Sequence, residues 1–149
     1  MDINFRKITE IDYHKCADVL ADAYKGEPWN NKWTHDEALL RIRATMSGFN
    51  ARGYVVEVDG EVIAQCLGRV DYYNDGWKQF CIDEFNLHSN FQGQGIGSNF
   101  MNYVINELEQ ENIDRIWLLT GGYMAAKFYE KNGFEESSDG TMMTLELQA

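Results

Sequence analysis

A single proline, Pro28, and three cysteines, Cys16, Cys66 and Cys81, are found among 149 residues. The sequence also lacks the Pro, Gln and Ser bias of a disordered chain and is 13% aromatic, which excludes disorder. The odd cysteine count comes with no Cys-x-x-Cys and no His or Cys at metal-ligand spacing, so the cysteines read as reduced, buried thiols and no metal is expected. Met1-Asp2-Ile3-Asn4 lacks the basic and apolar regions of a secretion signal, and no run of about 18 apolar residues occurs anywhere. The expectation is a cytoplasmic protein without membrane contact. Basic side chains are scarce as well, with 13 Lys and Arg against 24 Asp and Glu and a net charge of -11. Such a surface repels a phosphate backbone, so nucleic acid is not an expected partner. It favours cationic small molecules or basic peptide segments, although the same charge serves solubility.

What is present is the material for a core. The chain is 44% hydrophobic, and one of this length buries about two thirds of its unfolded surface without staples. No repeat, linker or low-complexity stretch divides it, so residues 1–149 read as one domain.

The periods of the sequence change along its length. Ile3, Phe5 and Ile8 suggest a short strand, and Thr9-x-x-Asp12 a cap for a helix reaching about Tyr24. A loop with Trp29 and Trp33 follows. Thr34 with Glu37 then forms a capping box for a second helix, whose stripe is Leu39, Ile42, Met46 and Phe49. Tyr54, Val56 and Val58 alternate up to Asp59-Gly60, a strong hairpin signal, and further strands are expected over 61–71 and 79–88. Phe100, Met101, Val104, Ile105 and Leu108 mark one face of a helix. A strand over 116–120, a helix over 123–132 and a last strand over 141–147, with Met142 and Met143 packed in it, complete a mixed α/β (α+β) order.

Between the strand ending near His88 and the amphipathic helix lies Gln92-Gly93-Gln94-Gly95-Ile96-Gly97-Ser98. Unpaired N–H groups and the helix dipole converge there, and alternate glycines let a backbone approach a pyrophosphate. A flexible turn would use the same residues. The Walker pattern fails for want of Gly-Lys-Ser/Thr, and the dinucleotide fingerprint fits poorly with Ser98 where Gly or Ala is needed.

Gln92-x-x-Gly95-x-Gly97 resembles the Gln/Arg-x-x-Gly-x-Gly/Ala signature of the GNAT superfamily of N-acetyltransferases. Ala125-Ala126-Lys127-Phe128-Tyr129 and the Gly133-Phe134 that follows are similar to the family's Ala-x-x-Phe-Tyr-x-x-x-Gly-Phe segment. The similarity covers essentially the whole chain. It implies a central mixed sheet of six to seven strands flanked by about four helices. It also implies acetyl-CoA as donor, with the backbone of Gln92, Gly93, Gln94, Gly95, Ile96, Gly97 and Ser98 facing the pyrophosphate. Phe85 and Leu87 would bond the pantetheine arm through main-chain groups, and Tyr129 would protonate the departing thiolate, a task that suits a hydroxyl keeping its proton at neutral pH. Relatives are often dimers, and the last strands offer edge partners.

Two positions depart from the family pattern. Gln92 and Gln94 stand where many relatives carry Arg or Lys, and no Lys or Arg occurs between Lys78 and Arg115. Gly122 stands where an Asn is frequent. A protonated amine must lose a proton before it attacks, and Asp83 and Glu84 are the candidate bases. Spermidine/spermine acetyltransferases carry an acidic pair at similar positions. Adjacent strand residues face opposite ways, so only one of the pair reaches a cleft unless a bulge intervenes, and Glu84 is slightly favoured. Acceptor contacts are expected from Trp29, Trp33, Tyr72 and Tyr73, with Trp77, as rings around a cation. The expected activity is direct acetyl transfer to a primary amine of a polyamine, aminoglycoside or basic peptide. A non-catalytic acyl-CoA-sensing module is the alternative, and a longer acyl donor is also open.

Overall fold

The computed structural model describes residues 1–148. Five strands lie side by side in chain order: β1 (Ile3–Lys7), β2 (Ala51–Val58), β3 (Glu61–Tyr72), β4 (Lys78–Leu87) and β5 (Arg115–Trp117). The first three pairings are antiparallel and the β4–β5 pairing is parallel. Asp59 and Gly60 both adopt positive φ, 51° and 84°, which matches the turn to the strand twist and fixes the β2–β3 register.

Helices α1 (Tyr13–Lys25) and α2 (His35–Thr45) cover one face of the sheet, while α3 (Ile96–Gln110) packs on the other and α4 (Tyr123–Lys131) flanks it. Thr34 starts α2 as its spacing predicts: the Glu37 amide donates to the Thr34 hydroxyl at 3.1 Å and the Thr34 amide to the Glu37 carboxylate at 2.9 Å. Cys16, Leu20, Ala38, Ile42, Val55 and Leu67 form the core on the α1–α2 side. Tyr54, Phe80, Ile82, Phe100, Met101 and Val104 form the core on the α3 side. Among the described residues, no helix is long and apolar enough to cross a membrane.

Three expectations are corrected. Among the described residues the sheet has five strands instead of six to seven, because 141–147 joins no ladder there and leaves the outer edge of β5 unpaired. Met142 and Met143 accordingly lie 73% and 87% exposed, not packed. Phe49 is off the α2 stripe: the helix ends at Thr45, and the turn that follows carries Phe49 out to stack on Tyr72 at 6.0 Å.

The chain's start is tied to α1 by charge. Both terminal nitrogens of Arg6 donate to Asp12 at 2.8 Å, and the Thr9 amide donates to the same carboxylate at 2.8 Å. Arg6 holds the Asp12 carboxyl below its ordinary range, against the opposing effect of burial. A depressed folded-state value stabilises the fold above the ordinary carboxylate range, and that contribution disappears as pH falls through the depressed value. Urea unfolding should therefore show Asp12→Asn weaker by about 1–3 kcal/mol at pH 7, with the gap to wild type closing below about pH 4.

Candidate active site

Hydrogen bonding joins β4 to β5 over three residue pairs only, Gln79 with Arg115, Phe80 with Ile116 and Cys81 with Trp117. Beyond them β4 continues to Leu87, while the other chain departs through Leu118–Gly122 into α4. The two diverge around a cleft of about 720 Å³, bounded by Glu84–Leu87 on one wall and Leu118–Gly121 on the other. A cleft of that volume suits a small-molecule site.

A β-bulge decides what β4 presents there. Leu67 faces Glu84 and Gly68 faces Ile82, so Asp83 is an extra residue without a partner. Cys81 approaches Asp83 at 3.6 Å, and Asn86 donates to Glu84 at 3.4 Å, each an i to i+2 contact along one face. Both carboxylates therefore lie on the α1–α2 side, and the strict alternation that would have separated them is interrupted at Asp83. Phe85 points the other way, its ring 5.4 Å from those of Phe100 and Phe128.

The two acids have different surroundings. Glu84 is 5% exposed and accepts from the Tyr24 hydroxyl at 2.8 Å and from the Arg41 Nε at 3.0 Å. Asn86, itself held by Gln65 at 2.9 Å, completes the cage. Burial, and then the charge of Glu84, raises the Tyr24 hydroxyl above the ordinary tyrosine range. Asp83 is more open, its side chain 18% exposed and its nearest cation Arg69 at 3.6 Å. Burial pushes the thiols of Cys16 and Cys81 up to about 12, and that of Cys66 higher, so none is a thiolate at neutral pH.

Tyr129 reaches the cleft from α4, against Phe85, Phe128 and Phe134. Burial raises its hydroxyl above the ordinary tyrosine range, with smaller contributions from Cys66, Tyr24 and Glu84. It keeps its proton at any physiological pH.

At the mouth of the cleft, Gly95 caps α3 with φ 80°, a left-handed conformation that glycine takes without strain. Among the described residues, the N–H groups of Gly93 to Ser98 find no acceptor within the chain. They form a ready anion cradle at a helix N-terminus. Ile96 contributes only its backbone, since its side chain is 3% exposed in the core. The Gln92 side-chain Nε2 donates to the Leu87 carbonyl at 3.2 Å, so that carbonyl already has a partner. Gln94 donates to the Asn90 carbonyl at 3.4 Å, and Ser98 accepts from Asn132 at 3.3 Å. Asp22 of α1 holds the preceding turn through the Ser89 amide at 2.8 Å.

The aromatic residues expected around a cation are dispersed. Trp29 lines the cleft, but Trp33 packs with the α1–α2 core and against Tyr24. Tyr72 stacks on Phe49, and Tyr73 leans on Trp77, which carries Arg115 over its ring. These last residues sit at the opposite end of β4. Trp29 explains Gly122: a Cβ there would meet the indole at 2.9 Å, so this position is filled by a ring from the α1–α2 loop. Sequence patterns give no sign of Tyr24, Arg41, Asn86 and Gln65 at the site, nor of Lys131, the only Lys or Arg among the described residues that lines the cleft. Helical and strand periods place these residues on elements but carry no sign that they converge.

Residues 14–134 match the Acetyltransferase (GNAT) family, so the chain belongs to it. The protein is an acetyltransferase, and the family uses acetyl-CoA. Three solved structures share the fold. A possible acetyltransferase from Clostridium difficile 630 aligns over 99% of each chain with TM-score 0.83 and 20% identity. Glucosamine-6-phosphate N-acetyltransferase from Arabidopsis thaliana covers 99% of this chain and 100% of its own, with TM-score 0.70 and 18% identity. A predicted acetyltransferase from Clostridium acetobutylicum, solved with acetyl-CoA, covers 96% of each chain with TM-score 0.73 and 17% identity. No curated protein matches the chain.

Because Trp29 rests on a missing Cβ, Gly122→Ala should force the indole away. In a background where the other three tryptophans are Phe, acrylamide should quench Trp29 emission more strongly in Gly122→Ala than in Gly122, with unchanged far-UV circular dichroism.

Proposed function

We propose that the protein transfers an acetyl group from acetyl-CoA directly to the primary amine of a small cationic acceptor. The observation that carries this reading is the two-sided cleft. Its α3–α4 side holds the free N–H groups of Gly93–Ser98 and the Tyr129 hydroxyl, and its α1–α2 side holds Asp83 and Glu84. Donor and acceptor would enter from opposite faces of the sheet and meet where β4 and β5 part.

On the donor side, the N–H cradle takes the pyrophosphate, Lys131 adds a cation, and the main chain at Phe85 lies along the pantetheine arm. On the acceptor side, Glu27, Asp83 and Glu84 give the cleft an anionic lining suited to an ammonium group. The Arabidopsis relative is named for glucosamine-6-phosphate, which supports a small amine acceptor but carries a phosphate, so the cationic reading rests on the carboxylates alone. Asp83, the more open carboxylate, receives the ammonium proton, while Glu84 is fixed by Arg41 and Tyr24 and orients the approach. The nitrogen then bonds to the thioester carbon, the carbon–sulfur bond breaks, Tyr129 donates its hydroxyl hydrogen to the sulfur, and the second proton, shed by the now cationic nitrogen, returns to the Tyr129 oxygen, so that no phenolate remains. The burial that disfavours a phenolate there also disfavours a bare thiolate, so the hydrogen is needed where Tyr129 supplies it. No cysteine is ionised to carry the acyl group, which leaves catalysis to positioning and electrostatics.

Free-thiol release from acetyl-CoA against polyamines, aminoglycosides, amino acids and basic peptides tests the acceptor class. Turnover should appear with a cationic amine, fall by about 100-fold in kcat in Tyr129→Phe, and fall by a similar factor in Asp83→Asn. Turnover confined to neutral or acidic amines would overturn the cationic reading.

The raised Tyr129 hydroxyl also sets the alkaline behaviour. It holds its proton beyond the ordinary tyrosine value of about 10, so kcat should show no loss from this group up to about pH 9.5. A descending limb below that pH that vanished in Tyr129→Phe would show an acidified Tyr129 instead.

A further inference from the structure

Asp22 is a residue that its own helix does not explain. It lies in the last turn of α1, where the carbonyl end of the helix dipole disfavours a negative charge. Its side chain is nonetheless only 10% exposed. Within the helix it meets Lys25 at 3.4 Å, a cation that is itself largely in solvent and counts for little. The closer contacts of the carboxylate are with the turn that leads from β4 towards the start of α3.

One Asp22 oxygen accepts from the Ser89 amide at 2.8 Å, and the other accepts from the Ser89 hydroxyl at 3.2 Å. His88 joins them. Its Nδ1 accepts from the Asn90 amide at 3.1 Å, so in the neutral ring the hydrogen sits on Nε2, which faces Asp22 at 3.6 Å. Three consecutive residues are thus tied, directly or through the imidazole, to one carboxylate. Asn90 passes the restraint on, because its carbonyl accepts from the side chain of Gln94, within the cradle, at 3.4 Å. Phe91 packs against the core on the α3 side, so the turn is gripped from both layers. Burial raises the Asp22 carboxyl, but the Ser89 amide and hydroxyl outweigh it and keep the group below its ordinary range, ionised at neutral pH.

The cradle beyond this turn has special need of such a brace. No Lys or Arg occurs between Lys78 and Arg115, so the loop has no basic side chain of its own. A lysine is a point charge on a flexible stem and attracts a phosphate over a range of positions. An N–H group is directional, and its bond weakens steeply as the angle closes, so a cradle of N–H groups binds only while its turn is held. Gly93 and Gly95, at φ 77° and 80°, give that turn no stiffness of their own.

On the reading that this cradle takes the pyrophosphate of acetyl-CoA, we propose that Asp22 is a positioning residue for the coenzyme. By fixing the His88–Asn90 turn, it keeps the N–H groups of Gly93–Ser98 pointed where a pyrophosphate meets them. Among the described residues Asp22 does not line the cleft, so it acts through Ser89 and His88. A helix of the α1–α2 layer thereby sets the affinity of a site built on the α3 side.

Isothermal titration of coenzyme A into the full chain tests this without any acceptor. Asp22→Ala should raise Kd about ten-fold, the change that follows when the competent turn falls to about a tenth of the population. Alanine suits a helix at this position, so far-UV circular dichroism should be unchanged. Asp22→Asn keeps an oxygen for the Ser89 amide and should stay within about three-fold of wild type. Asp12→Asn, at the other end of α1, is the stability control: it weakens the fold and should leave Kd as it is. In the ligand-free chain, hydrogen exchange at the Ser89 amide should be about ten-fold faster in Asp22→Ala than in wild type. Equal coenzyme affinity in Asp22→Ala and wild type overturns the positioning role while leaving the cradle in place. So does unchanged exchange at Ser89, an Asp12→Asn variant that loses as much affinity as Asp22→Ala, or an Asp22→Asn variant that recovers none of it. A wild type that binds no coenzyme A removes the cradle as well, and the donor reading falls with it.

Discussion

The parallel pairing of β4 with β5 stops after Cys81 and Trp117, and the whole site depends on where it stops. Two residues further on, β4 carries its bulge at Asp83. A bulge bends the strand that bears it and increases its twist, so β4 swings away from β5 just where the last shared hydrogen bond is spent. The same extra residue turns Glu84 to the side occupied by Asp83. One local insertion thus opens the cleft and loads one of its sides with charge. The backbone polar groups freed on the diverging strands are those that a bound ligand can meet.

Glu84 shows how that charge is kept in place. A carboxylate 5% exposed is costly unless its oxygens are filled, and here Arg41 from α2, Tyr24 from α1 and Asn86 from β4 fill them. The arrangement adds little net stability, since an apolar substitute of equal shape could serve as well. Its effect is positional. It fastens both helices of one layer to the strand that carries the bulge. Tyr24 also touches Trp29 at 5.6 Å and Trp33 at 6.0 Å, so the loop between the two helices is held by the residue that holds Glu84. Trp29 then reaches across to Gly122, linking the acidic side of the cleft to its far wall.

Most of the elements were legible in the sequence, because each announces itself within a few residues. Asp59-Gly60 dictates a hairpin by backbone geometry, Thr34 and Glu37 close a box three residues apart, and the spacing of Phe100, Met101, Val104 and Leu108 admits only a helix face. The glycine-rich turn and the segment around Tyr129 were legible as a family pattern, and both line the cleft. The bulge was not, since nothing in Ile82-Asp83-Glu84 distinguishes a residue that skips its partner from one that keeps it. Convergence over long separations was equally silent, as with Arg41 and Glu84. The strand expected over 141–147 shows the converse limit. Alternation states which face of a strand wants cover, but pairing needs a neighbour, and the neighbour is not written in the segment.

The charge pattern has a physical logic of its own. A loop rich in Arg and Lys would bind phosphates more strongly, but on this chain it would stand across a narrow cleft from Glu27, Asp83 and Glu84. Glu84 and Asp83 already have Arg41 and Arg69 as partners, and further mobile cations there would compete for the same carboxylates. Backbone N–H groups avoid the conflict. Their partial charges are fixed in direction at the start of α3, fall off within a turn, and cannot swing across to a carboxylate as a lysine can. Gln92 and Gln94 fit the same logic: each spends its amide on a nearby carbonyl, Leu87 or Asn90, and so stiffens the turn without adding charge. The two sides of the sheet thereby differ in chemistry, with backbone dipoles at the start of α3 on one side and the carboxylates of Asp83 and Glu84 on the other.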